Sequence, residues 1–131
     1  MSPKIEIHIV SSNDLVRLAL REYLETMSFG VSTHNSAKEF FDLYAPRPNG
    51  LLLVDLDGSE LGIDELMASL EFKSIKNRAI FLTERKIEIM DGFDWKANDP
   101  VILEKPPVES AVLKAINFLI TQNSMADRNC A

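Results

Sequence analysis

The sequence predicts an α/β fold built on a doubly wound, five-stranded parallel sheet, and three observations lead there. Short aliphatic or β-branched runs recur five times along the 131 residues, each followed by a segment with helical spacing. The central run, LLLVD at 51–55, is apolar without alternation, as suits a strand covered on both faces of a parallel sheet. Parallel neighbours need a crossover between them, and the helical segments supply one after each strand.

The elements follow in order. IEIHIV (5–10) alternates and is β-branched, which marks a strand, and SSND then offers capping side chains to the helix LVRLALREYLETM (15–27). VSTH (31–34) is a second strand. Ser36 with Glu39 forms a capping-box pattern opening SAKEFFDLY (36–44), which the prolines of APRPNG (45–50) end. After LLLVD come the helix IDELMASLEF (63–72), the strand RAIFLT (78–83) and a less periodic helical segment over 84–96. VILEK (101–105) is the fifth strand, halted by Pro106 and Pro107. VESAVLKAINFLI (108–120) is the last helix, with Glu109 complementing its dipole. Residues 1–121 read as one domain, and 122–131, which lack periodicity, as a flexible C-terminal tail.

Composition excludes several function classes. A formal charge of -6 lacks the basic footprint that phosphate backbones require, so no direct nucleic-acid contact is expected. Lys4 and Glu6 interrupt the apolar stretch a secretory leader would need, and no run approaches membrane-spanning length. The one cysteine, Cys130, cannot form a disulfide within the chain. A cytoplasmic protein with no membrane partner is the expectation.

Open α/β sheets gather ligands beyond the carboxyl ends of their strands. There this sequence places Ser11 and Ser12 after the first strand, Asp55 after the third, Thr83 after the fourth and Lys105 after the fifth. An aspartate, a hydroxyl residue and a lysine followed by proline on successive strand ends resemble the receiver domain of bacterial two-component response regulators. The supporting segments are IHIVSSNDLVRLAL, SAKEFF, LLLVDLD, AIFLT and VILEKPP, so the resemblance covers nearly the whole chain. It implies a flavodoxin-like topology with strand order 2-1-3-4-5. It also implies Asp55 as phosphoacceptor, Thr83 and Lys105 as partners of the phosphoryl group, and a cis Lys105-Pro106 bond, which proline tolerates.

The sequence departs from that family at several positions. Receivers carry two acidic residues after the first strand, where this chain has Ser11 and Ser12. Magnesium, which neutralises charge during phosphoryl transfer, is held through carboxylates, and neutral hydroxyls are poor substitutes. Mg2+ binding is therefore expected to be weak or absent, with no other cofactor, and Asp55 is free to pair with Lys105, aided by Ser12 or Thr83. The alternative is that Asp55 and Lys105 lie solvated and contribute little. Asp14 falls two residues too late and suits the helix dipole. The family's proline and glycine, four and eight residues after the phosphoacceptor, are Ser59 and Ile63 here, with glycines at 58 and 62 instead. Glu84 replaces a small residue and would repel a phosphate. Ile102 replaces the switching aromatic and is stiff about its first torsion.

The expectation is an atypical, non-enzymatic receiver acting in a phosphorelay through a protein partner: a histidine kinase, a phosphotransfer protein or an output protein. The alternative is a working phosphoacceptor in which Asp57 or Asp14 supplies the missing ligand. DLDGS (55–59) also resembles the first motif of haloacid-dehalogenase-type phosphatases, but the further acidic motif after the lysine is missing. A calcium loop lacks its bidentate glutamate. His8 and His34 suit ordinary sheet positions, and Trp95 suits a packing anchor. At about 100° per residue, the apolar stripe of the last helix is wider than one sheet contact needs. Leu113, Phe118 and Ile120 are accordingly candidates for an interface, and the resemblance implies a possible homodimer through helix 4, strand 5 and helix 5. The bland alternative is a wide core stripe covered by the tail.

Overall fold

The computed structural model describes residues 5–43 and 50–123. In chain order the elements are β1 (Glu6–Val10), α1 (Asp14–Thr26), β2 (Gly30–His34), α2 (Ala37–Leu43), β3 (Gly50–Asp55), α3 (Ile63–Phe72), β4 (Ala79–Thr83), α4 (Lys86–Asp91), β5 (Val101–Glu104) and α5 (Glu109–Gln122). A short 3-10 turn at Lys76–Arg78 leads into β4. The strands lie in the order β2-β1-β3-β4-β5, every neighbouring pair parallel, which is the expected topology. Chain direction across the sheet reverses between β1 and β3, and the crevice at their carboxyl ends follows from that reversal.

All of β3 is buried, which explains its unbroken apolar run. Strand alternation sends Leu51 and Leu53 to one face and Leu52 and Val54 to the other. On the first face Leu20 and Leu24 of α1 and Val112, Ile116 and Leu119 of α5 close over Ile7, Ile9 and Ile80. On the second, Phe40 and Phe41 of α2 and Leu66 and Leu70 of α3 share one core with Val10, Phe81 and Ile102, Phe40 lying against His8 and His34.

Helix ends are set by specific side chains. The Asn13 Oδ1 accepts from the Leu15 and Val16 amides at 2.9 and 3.2 Å and starts α1. At α2 the Glu39 amide donates to Ser36 Oγ at 3.2 Å, as the capping-box pattern predicts. Glu60, on the loop after β3, adds a tertiary cap by accepting from the Ala37 and Lys38 amides at 3.0 and 3.3 Å.

Two expectations need correction. The helix expected over 84–96 spans only Lys86–Asp91, because Gly92 closes it and the Lys96 amide turns back to Asp99 Oδ2 at 2.9 Å. None of its residues is buried, so little packing supports a longer helix. The domain boundary at residue 121 falls inside α5: Gln122 is helical, and the Asn123 amide caps the end on Leu119 O. The rest of the expected tail, with Cys130, lies outside the described residues, as do the prolines of 45–50. His8 and His34 hold the sheet positions expected of them, in β1 and β2. They face each other, with Nδ1 of His8 3.2 Å from Nε2 of His34, and both rings lie against Phe40.

Phe81 is fully buried, and Phe81→Ala should lower unfolding free energy in urea by about 3–5 kcal/mol. Leu18, exposed on α1, should tolerate alanine within about 0.5 kcal/mol. Burial holds the His34 imidazole below its ordinary pKa, the charge of Glu39 opposing only in part. The unfolded chain then binds more protons than the native one, so stability is complete above about pH 6.5 and falls as pH drops toward the lower native value. Urea unfolding between pH 7.5 and the onset of carboxylate titration should reveal that slope, and His34→Asn should reduce it.

Candidate functional site

Four strand ends converge on one charged cluster. Ladder hydrogen bonds continue past the strands and fix their approach: Ser11 N to His34 O at 3.0 Å, Leu56 N to Leu82 O at 2.8 Å and Lys105 N to Thr83 O at 3.0 Å. The Lys105-Pro106 bond is cis. Lys105 Nζ stands 2.7 Å from Asp55 Oδ1 and 3.4 Å from Asp57 Oδ2. The Asp55 carboxylate is buried, only 1% exposed, and both its oxygens are engaged. Ser11 Oγ donates to Oδ2 at 2.8 Å, and the Asp57 amide donates to Oδ1 at 3.0 Å in an Asx turn.

Asp57 is the second anion of the cluster. Its Oδ1 accepts from Thr83 Oγ1 at 3.1 Å and its Oδ2 from the Glu84 amide at 2.8 Å. Burial alone would raise its pKa. The Glu84 amide, the Thr83 hydroxyl and the charge of Lys105 together outweigh burial and hold the carboxyl below its ordinary value. On Lys105 burial likewise disfavours charge, and Asp55 followed by Asp57 overcomes it, raising the ammonium pKa above its ordinary value.

Surrounding groups stitch the loops together. Ser11 Oγ accepts from the Asn13 amide at 3.0 Å, and Thr83 Oγ1 accepts from the Arg85 amide at 3.0 Å. Ser12 Oγ donates to Gly58 O at 3.3 Å. Gly58 sits at φ +75, where a side chain would be strained and its Cβ would meet Ser12 Oγ at 3.0 Å. Arg17 of α1 donates to Ser11 O and pairs with the exposed Asp14. Among the described residues, no group of three or more His, Cys, Asp or Glu side chains is placed to hold a metal ion.

No family model matches the chain. It is 25% identical over 128 residues to the transcriptional regulatory protein FixJ of Azorhizobium caulinodans, covering 98% of this chain and 61% of that protein. To FixJ of Rhizobium meliloti it is 29% identical over 110 residues, covering 84% of this chain and 54% of the relative. The chain thus spans somewhat over half the length of these relatives. The crystal structure of FixJ-N superposes with a TM-score of 0.70 at 27% identity, over 91% of this chain and 94% of the other. In fold and sequence the chain is similar to a response-regulator receiver domain.

Within this receiver fold the residues singled out from sequence are brought together unevenly. Asp55, Lys105 and Thr83 share one cluster, but Thr83 bonds Asp57 instead of Asp55. Ser11, and neither Ser12 nor Thr83, supplies the hydroxyl on Asp55. Glu84 is exposed and brings its amide to the cluster. Ile102 is buried in the core that also holds Phe81, Leu66 and Leu70. Of the interface candidates, Phe118 is 51% exposed and Leu113 is partly buried. Ile120 is only 2% exposed, packed on the sheet by the same turn that carries Ile116, and is withdrawn as an interface residue. From sequence, Asp57 stands only as an alternative ligand and not as the partner of Thr83 and Glu84. The Gly58 that follows it was the available signal, since a residue suited to left-handed backbone permits a tight return of the loop.

Lys105→Met removes the only ammonium bonded to the buried Asp55 carboxylate among the described contacts. Unfolding free energy should fall by about 3–5 kcal/mol, as when one member of a buried pair is deleted. Adding Asp55→Asn should recover part of that loss in a double-mutant cycle by urea denaturation.

Proposed function

We propose that this receiver domain acts by protein-protein binding in two-component or phosphorelay signalling, and that Mg2+-dependent phosphorylation of Asp55 is not its switch. The observation that carries the reading is the Ser11 hydroxyl donated to Asp55 Oδ2 at 2.8 Å, where receivers present an acid. Ser11 and Ser12 are neutral and already engaged on Asp55, the Asn13 amide and Gly58 O. Magnesium demands an ordered oxygen shell and is bound through carboxylates, so this donor set fits it poorly. The guanidinium of Arg17 on Ser11 O further disfavours a divalent cation there. Asp55 then serves as the buried partner of Lys105, and the domain has no catalytic turnover of its own.

Partner binding is assigned to the face formed by α4, β5 and α5. Met90 and Phe118 are exposed there, 43% and 51%. Together with Trp95 and Val101 they line a groove of about 350 Å³. Both curated relatives are transcriptional regulatory proteins. An output protein of that class is the partner this reading favours, with a histidine kinase, a phosphotransfer protein or a second copy of the chain as the other occupants.

The convergence of Asp55, Thr83 and Lys105 favours a second reading, a working phosphoacceptor at Asp55. Incubation with acetyl phosphate and Mg2+, followed by intact-mass spectrometry, separates the two. The expected outcome is no stoichiometric phosphoryl adduct and no saturable Mg2+ binding by calorimetry. An adduct on the full population that disappears in Asp55→Asn establishes the second reading.

A further inference from the structure

The Thr83 hydroxyl, the Glu84 amide and the Lys105 ammonium point at one small volume, and the Asp57 carboxylate fills it. A hydroxyl, a backbone N–H and an ammonium converging in this way are the donors that recognise an oxyanion. One oxygen of Asp57 takes the hydroxyl, and the other takes the amide and the ammonium. Asp57 is held in place from behind as well, because its own amide is bonded to Asp55 Oδ1. The cluster of Asp55, Asp57 and Lys105 already carries one negative charge in excess. A second anion would have to displace Asp57 or enter against it.

We propose that Asp57 is an internal occupant of an oxyanion site, which holds the segment after β4 in an anion-filled arrangement without any external ligand. The link to α4 is direct: Thr83 Oγ1, which donates to Asp57, also accepts from the Arg85 amide one residue before the helix. Removing the carboxylate leaves Thr83, Glu84 and Lys105 facing an open volume, with Asp55 and Lys105 balanced in charge. That volume then takes a free tetrahedral oxyanion. The inference concerns noncovalent anion binding at Asp57, so it can fail or stand independently of covalent transfer to Asp55.

The test uses inorganic phosphate as the probe, with amide NMR of the whole chain in wild type and Asp57→Ala. In wild type the Glu84 amide should not move on phosphate addition. In Asp57→Ala the Glu84 and Arg85 amides should exchange faster with solvent, and phosphate should bind saturably, at least about tenfold tighter than to wild type. Phosphate should also restore slow exchange, and Thr83→Ala added to Asp57→Ala should weaken the binding. Should Asp57→Ala not fold, Asp57→Ser, which also vacates most of that volume and removes the charge, is read in the same way. Equal phosphate responses in wild type and variant would overturn the proposal. So would a variant whose Glu84 and Arg85 amides exchange as in wild type and ignore phosphate.

Discussion

A single ammonium group stands between two carboxylates at the carboxyl edge of the sheet, and the arrangement of that edge follows from keeping Lys105 and Asp55 paired. Removing a charge from water is costly unless an opposite charge and hydrogen bonds replace the solvent. Asp55 is almost wholly buried and meets the condition three ways, through Lys105, the Ser11 hydroxyl and the Asp57 amide. Each contact reaches Asp55 from a different segment: the residue after β5, the turn after β1 and the loop after β3. The sheet makes this possible because parallel strands deliver their ends to the same edge, and the ladder bonds of Ser11 and Lys105 prolong that alignment past the last regular residue.

The loops above the edge are bound to one another as well as to the cluster. Ser12 reaches Gly58, Glu60 caps α2, and Asp57 joins the loop after β3 to the end of β4. The sequence features that depart from the receiver pattern are the ones that make these contacts or fill space beneath them. Ser11 and Ser12 replace acids that would repel Asp55, and Ile102 lies in the core. These bonds tie the loop after β3 to the turn after β1, to the start of α2 and to the end of β4.

Much of the fold was legible in the chain because burial leaves a periodic imprint. The unbroken run of β3 reports a strand covered on both sides, and Asn13 and Ser36 mark helix starts through local hydrogen bonds. Where burial is slight the imprint fades. The segment over 84–96, whose periodicity is weak, is helical only across Lys86–Asp91, and the stripe of α5 does not by itself say which of its apolar residues, Phe118 or Ile120, turns outward. That choice depends on where the sheet lies relative to the helix.

The chain by itself determined the parallel α/β architecture, the strand ends that carry Ser11, Asp55, Thr83 and Lys105, and the absence of an acid pair after β1, because each is a local matter of residue type and spacing. Tertiary structure alone decided that Ser11 and not Ser12 serves Asp55, that His8 meets His34, and that the Asp57 carboxylate turns inward to a hydroxyl 26 residues away. Those outcomes rest on strand register and loop path. A hydrogen bond is made or lost within a fraction of an ångström, a precision that no pattern of residue types along the chain encodes.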